Sequence, residues 1–277
     1  MKKSKNHKHI LMEICLWILA ILFLIPIYYL VVSTFKSAEE VASHPFSLPA
    51  SINLSNYITA WEKMNYPRAF MNTFIITLFT VVISQFIAAL AAYSITRCKS
   101  RFNGFVFMLV LAGMMIPGQV SLVSLYTLVQ GLHLNNSIWG MIVINCGGNT
   151  ILPLFLYRSF ISTSVPISIE EAAEIDGCGI FRRFVHIVLP MLKPVTATVS
   201  IIVALGVWND YMNPMLFLQS RENATLILEV QRNVGQFSID WISMFPMLLL
   251  DVAPLAIFYL FMQKRIISGV VTGAVKG

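Results

Sequence analysis

The chain predicts an all-α fold, a polytopic membrane protein crossing the bilayer six times, on three observations. Apolar residues make up 57% of the 277 and charged residues only 12%, against about 25% charged in an ordinary soluble domain. Long stretches contain no Asp, Glu, Lys or Arg at all. The basic residues that remain gather on alternate connecting segments, as in a multi-pass membrane protein. The chain therefore reads as one membrane domain over residues 1–277.

Each span follows from a charge-free run. Residues 14 to 35 give a first span at about 12–34, enough to cross ~30 Å of hydrocarbon at ~1.5 Å per residue. Lys2 to Lys8 give it the basic start of a signal peptide, but the run is too long for a signal core and no small-x-small site follows it. It reads as an anchor that stays. Residues 36 to 68, with Pro45, Pro49, Asn53, Asn56 and Trp61, are too long for a hairpin turn and too irregular for a domain. They suit either a cap over a pathway mouth or a plain linker. A second span lies at 70–96. The uncharged stretch 102 to 157 exceeds one helix, and its polar break Gly131–Ser137 divides it into spans at about 105–129 and 138–160. The fifth span, 194–217, is apolar except for Asp210, and the sixth, 242–263, is apolar except for Asp251. Between them Trp241, beside Asp240, reads as an interfacial anchor.

Charge sets the orientation. With the N-terminus inside, fourteen of the nineteen Lys and Arg fall on inner segments and five on outer ones, the asymmetry of the positive-inside rule. Both termini, the loop 166–190 and the tail 264–277 are thus expected in the cytoplasm. Topology accounts for the net charge of +6, and a nucleic-acid partner is not expected.

The loop 166–190 is the most specific feature. Ser168 with Glu171 three residues on forms a capping-box pattern, so a helix is expected from about Ile169. Gly177 fits the left-handed position just past its end. Phe181, Phe184, Val185 and Val188 then recur at helical spacing, and Pro190 and Pro194 should break the helix where the loop meets the fifth span. An amphipathic hairpin lying on the membrane surface would share this pattern.

Catalytic machinery is not evident. Gly273-Ala-Val-Lys-Gly277 only echoes a phosphate loop. The five histidines and the four scattered cysteines have no ligand spacing, so neither a metal nor a cofactor is expected, and the chain is not read as an enzyme. Asp210 and Asp251 are costly inside a bilayer unless they face protein or water. Two readings of these residues follow: an ion-coupled secondary transporter using both acids, and a membrane scaffold whose loop docks a partner.

The segment Glu171-Ala172-Ala173, Asp176-Gly177 and Ile187-x-Leu189-Pro190 resembles the signature loop of permease subunits in binding-protein-dependent ABC importers. Over nearly the whole chain the resemblance is to the carbohydrate branch, and to the smaller permease of maltose-type systems. It includes Ser33-Thr-Phe-Lys36, Asn56-Tyr57, Asn72-Thr73, Ala91-Ala-Tyr93 with Arg97, Leu132-x-Leu134-Asn135, Trp208-Asn209-Asp210, Asp240-Trp241 and the tail from Gly269. Ser124 stands where a proline is common, and Asp251 where a small or apolar residue is usual.

That resemblance implies a subunit of the cytoplasmic membrane of a bacterium or archaeon. Its partners would be a second permease, a pair of ATPase subunits that hydrolyse ATP, and an extracytoplasmic sugar-binding protein. The loop would be the coupling helix, with Ala172 and Ala173 letting the backbone lie close to the ATPase and Glu171 offering a charged acceptor. The tail residues Thr272, Gly273, Ala274, Val275, Lys276 and Gly277 would meet the ATPase pair, in a stretch too rich in glycine to pack as a helix. For a sugar substrate, Trp208, Asn209, Asp210 and Asn213 would line the path. On a continuous helix Asn209 and Asn213 share a face, which should meet water or the partner permease rather than lipid.

Overall fold

A computed structural model describes the backbone of residues 3–233 and 240–274 and the side chains of residues 9–233 and 240–263. Every regular element among them is a helix. In order these are α1 (Lys3–Ser33), α2 (Ala38–Ser43), α3 (Ser55–Lys63), α4 (Tyr66–Arg97), α5 (Arg101–Met114), α6 (Leu122–Gly131), α7 (Ile138–Gly148), α8 (Ile151–Ser164), α9 (Ile167–Ile175), α10 (Ile180–Arg183), α11 (Leu189–Met191), α12 (Lys193–Trp208), α13 (Met212–Phe217), α14 (Leu226–Arg232) and α15 (Trp241–Ala274). His9–Ser33, Tyr66–Arg97 and Trp241–Gln263 are each long and apolar enough to cross a membrane unbroken. Three bent helix pairs bring the number of spans to as many as six.

The breaks correct the sequence reading of three spans. The expected span 105–129 is two helices bent by 96° around residues 115–117. The expected span 138–160 bends by 48° between Gly148 and Ile151. The expected span 194–217 ends as a helix at Trp208, and α13 starts afresh at Met212. At its other end α12 meets the segment Ile180–Met191 at 78°, as Pro190 and Pro194 predict. In the other places the cause is Pro117-Gly118, Gly147-Gly148-Asn149 and Asn209-Asp210. Proline removes a backbone donor, and glycine and Asx residues offer the chain alternatives to the helical ladder.

The described residues pack as two units, residues 1–66 with 229–253, and residues 67–228 with 254–277. In the first, the segment 36–63 is built rather than loose. Ser37 and Glu40 form a reciprocal capping box on α2. The backbone N–H groups of Ser37 and Ala50 hold the Glu40 carboxyl below its usual pKa. Lys36 is fully buried, and its ammonium donates to the carbonyls of His44 at 2.8 Å and Pro45 at 3.0 Å. Asn56 Nδ2 donates to the carbonyls of Thr34 and Lys36, both at 3.0 Å. The stretches 33–36 and 56–57 thus form one lattice. Lys36→Met should strand both carbonyls at about 1–3 kcal/mol. Limited proteolysis in membranes should then cut residues 36–63 faster, and cleavage at the wild-type rate would refute this.

The second unit has its core between α4, α7, α8 and α12. Ala88, Ala89 and Ala92 of α4 are buried there with Ile142, Tyr157, Ile161, Val199 and Val203. Small side chains let helix backbones approach closely where lipid supplies no hydrophobic drive. Inside this core Tyr157 donates to Gln85 Oε1 at 2.9 Å, and Gln85 Nε2 donates to Ser200 at 3.0 Å. A polar network thereby joins α4, α8 and α12. Asn72 Nδ2 donates to the carbonyls of Glu222 and Ala224, and Thr73 Oγ1 accepts from the Leu226 N–H.

The tail differs from expectation. α15 runs on through Ala274, so Thr272, Gly273 and Ala274 are helical, whereas Val275, Lys276 and Gly277 lie outside the described residues. Extending an existing helix forms one bond per residue fixed, which offsets a glycine cost of about 1 kcal/mol.

Candidate functional site

The loop 166–190 hangs on one buried carboxylate. α9 begins at Ile167 behind Pro166, with no side-chain cap, so Ser168 lies inside the helix and the expected Ser168–Glu171 box does not form. Glu170 turns inward instead. Its Oε1 accepts from Arg97 Nε at 2.8 Å and lies 2.7 Å from Arg97 Nη2, and its Oε2 accepts from the Tyr93 hydroxyl at 2.9 Å. Arg97 also donates to the Val165 carbonyl at 2.8 Å. These bonds fix the roll of α9 against the end of α4, which the cap alone would not. On the next turn Arg183 pairs with Glu174 at 2.6 Å, tying α10 back to α9.

With Glu170 inward, the other loop residues sort by face. Ala173 is buried within the chain, while Glu171, Ala172 and Asp176 are exposed. Of the two alanines expected to approach a partner, only Ala172 is therefore outward. The outer face also presents Ile175, 87% exposed, with Ile180 and Phe181. Sequence reasoning passed over Ile175, though an apolar residue beside Asp176-Gly177 stood outside the helical core pattern. Gly177 has φ +79°. The Cys178 N–H reaches the Ala173 carbonyl and the Gly177 N–H reaches that of Glu174, both at 2.9 Å, the bond pair of a Schellman end. No atom lies within 4 Å of an added Cβ there, so backbone strain alone restricts the position. Gly177→Leu should cost about 1–2 kcal/mol, whereas Gly177→Asn should be tolerated. Equal uptake by the two variants in membrane vesicles would count against this reading.

Beyond α10 the chain takes one wide π turn over Phe184–Val188, in which the Leu189 N–H reaches back to the Phe184 carbonyl. A proline ring in an α-helix collides with the carbonyl four residues earlier, and the wider turn makes room for Pro190. Phe184 and Val188 are buried, Ile187 and Leu189 half-buried, and Pro190 exposed. The Phe184 ring meets Tyr93 at 5.4 Å and Phe86 at 6.2 Å. α9, through Glu170, and the π turn, through Phe184, are therefore both fastened to α4.

A second feature is a cavity of about 570 Å³ on which three helix breaks converge. Gly118 and Gln119 follow the first break, Gly147, Gly148 and Asn149 form the second, and Asp210, Met212 and Asn213 follow the end of α12. Asp210 Oδ2 accepts from Asn213 Nδ2 at 2.7 Å and its Oδ1 from the Asn213 N–H at 3.2 Å. Asn145 lines the wall almost wholly buried, with no hydrogen-bond partner for its Nδ2. Broken helices within a membrane protein persist where they line protein or an aqueous cavity, because their freed backbone groups need partners.

The four residues expected to line the path divide here. Asp210 and Asn213 reach the cavity. Trp208 is buried, with the Phe70 ring at 6.2 Å, and is not among the residues that line the cavity. Asn209 ends α12 with Nδ2 on the Leu205 carbonyl at 2.9 Å, so the shared helical face of Asn209 and Asn213 does not exist. The helix stops between them because Asp210 bonds Asn213 instead of continuing the ladder. Gln119, Asn145, Asn149 and Ser124 were missed, although Ser124 had stood out for replacing a proline. Their signal was uncharged amides and hydroxyls inside charge-free runs.

Comparison with known proteins bears on the family and the fold. Residues 85–272 match the family described as "Binding-protein-dependent transport system inner membrane component". The multiple sugar-binding transport system permease protein MsmG of Streptococcus mutans is 36% identical over 281 residues, with 100% of both chains covered. The melibiose/raffinose/stachyose import permease protein MelC of Bacillus subtilis is 35% identical over 260 residues, with 94% of each covered. A chain from the crystal structure of a bacterial ABC transporter involved in the import of the acidic polysaccharide alginate shares the fold. Its TM-score is 0.84 at 21% identity, over 94% of this chain and 97% of that one. The chain belongs to the family of inner-membrane components of binding-protein-dependent transport systems.

Proposed function

We propose that this chain is one of two permeases in an ATP-driven importer, passing a sugar or oligosaccharide delivered by an extracytoplasmic binding protein. The observation that carries the reading is the convergence on one cavity, walled in part by amides, of two bent helix pairs and the break between α12 and α13. Sugars need hydrogen-bond partners along their route, and amide side chains with freed backbone groups supply them without a charge. The relatives MsmG and MelC, both named for the transport of sugars, support the same class.

In this reading six spans place both termini in the cytoplasm, with the loop 166–190 seated on an ATPase pair. Glu171, Ala172, Asp176 and Ile175 form its contact face, Gly177 shapes it, and Ile187, Leu189 and Pro190 join it to α12. The tail from Thr272 reaches the same ATPases, and ATP hydrolysis belongs to them. The bare apolar surface of α1 over residues 10–28 serves lipid and the second permease. An ion relay through Asp210 and Asp251 would leave the loop without a purpose.

Uptake by the assembled complex tests the path. Asn145→Leu and Asn149→Leu should each lower sugar uptake by about tenfold, the worth of one good hydrogen bond, with the complex still assembled. Wild-type uptake in both variants would remove the cavity from the route.

A further inference from the structure

We infer that Asp210 makes this cavity a charge filter that admits uncharged sugars and turns away carboxylated ones. The inference rests on the path reading above and deepens it. Among the described residues that line the cavity, Asp210 is the one charged side chain, and neither Lys, Arg nor His faces it there. Both carboxylate oxygens act as acceptors, toward the Asn213 N–H and Asn213 Nδ2. Asn213 orients the group but brings no compensating charge. The remaining polar wall consists of neutral amides and hydroxyls such as Gln119, Asn145 and Asn149. A neutral polyol finds donors and acceptors here. A uronate would enter a cleft with a fixed like charge and, among the described lining residues, no cation to pair with, and low-dielectric walls concentrate that field.

The field can be read without knowing the substrate. In the assembled complex, with Cys15, Cys98, Cys146 and Cys178 replaced by serine, single cysteines at Asn145 and Asn149 are labelled with two water-soluble methanethiosulfonates, one cationic and one anionic. The ratio of their rates is compared with the ratio on a free thiol. The cationic reagent should be favoured about tenfold, and Asp210→Asn should return the ratio to the free-thiol value. A free-thiol ratio in the presence of Asp210, or a ratio that survives Asp210→Asn, overturns the filter while the water-filled path stands. Failure of both cysteines to react in any state of the ATP cycle overturns the path reading, and the filter with it.

Discussion

Glu170→Ala should destabilise the protein by about 3–5 kcal/mol, the range for removing one partner of a buried ion pair. The pair is sheltered, with side-chain exposures of 15% for Arg97 and 6% for Glu170. Without the carboxylate the Arg97 guanidinium keeps only the Val165 carbonyl, and the Tyr93 hydroxyl loses its acceptor. Arg97→Met should be comparably harmful. The double variant Arg97→Met/Glu170→Met should be milder than either single change, because no uncompensated charge remains. Thermal denaturation in detergent, read beside uptake, gives the cycle. Glu171→Ala forms the contrast: it should alter folding by less than about 0.5 kcal/mol yet weaken association with the ATPase pair. If Glu170→Ala melts with the wild-type protein, the anchor is not structural.

The contrast between Glu170 and Glu171 shows where sequence reading stops. The existence of a two-helix knob, its glycine turn and its proline joint were legible, since each rests on local rules of backbone conformation. Which of two adjacent acids faces inward was not. Arg97 and Tyr93 lie more than seventy positions earlier, and their pull overrides the local cap at Ser168. Tyr93 and Arg97 had both appeared in the resemblance, without anything to say what they bind.

The spans divide in the same way. α1, α4 and α15 were readable because long uninterrupted apolar runs permit little else. The breaks at Pro117 and Gly148 escaped because charge was the criterion for a span and neither carries one; the break at Asp210 escaped because a single acid was allowed within an apolar run. Pro-Gly and Gly-Gly-Asn within an apolar run were the available signals. Their joint meaning, a single cavity, depends on the packing of α6, α7 and α13, which local patterns do not specify.

Gly140→Ala should be the most damaging single-methyl change near that cavity. A Cβ at Gly140 would overlap the Leu134 carbonyl oxygen, with the Leu134 Cβ also crowded at 3.1 Å. The obstacle is backbone, so no rotamer change relieves it. The turn in question is already constrained: His133 and Asn136 have φ of +55° and +51°. Asn136 is fastened to the end of α13, through the Phe217 carbonyl at 2.7 Å, and to the segment after it, through Ser220. The new methyl must therefore displace α7 rather than the turn. Overpacking of this kind costs about 1–3 kcal/mol or more. α7 also carries Asn145 and is capped at its C-terminus by Asn149, so its displacement withdraws two amides from the cavity wall. Uptake should fall further than abundance, and sugar protection of a cysteine at position 145 against a thiol reagent should weaken in the same variant. Normal uptake by Gly140→Ala at normal abundance would mean that α7 has room the structure does not show, and that its register against Leu134 does not set the cavity.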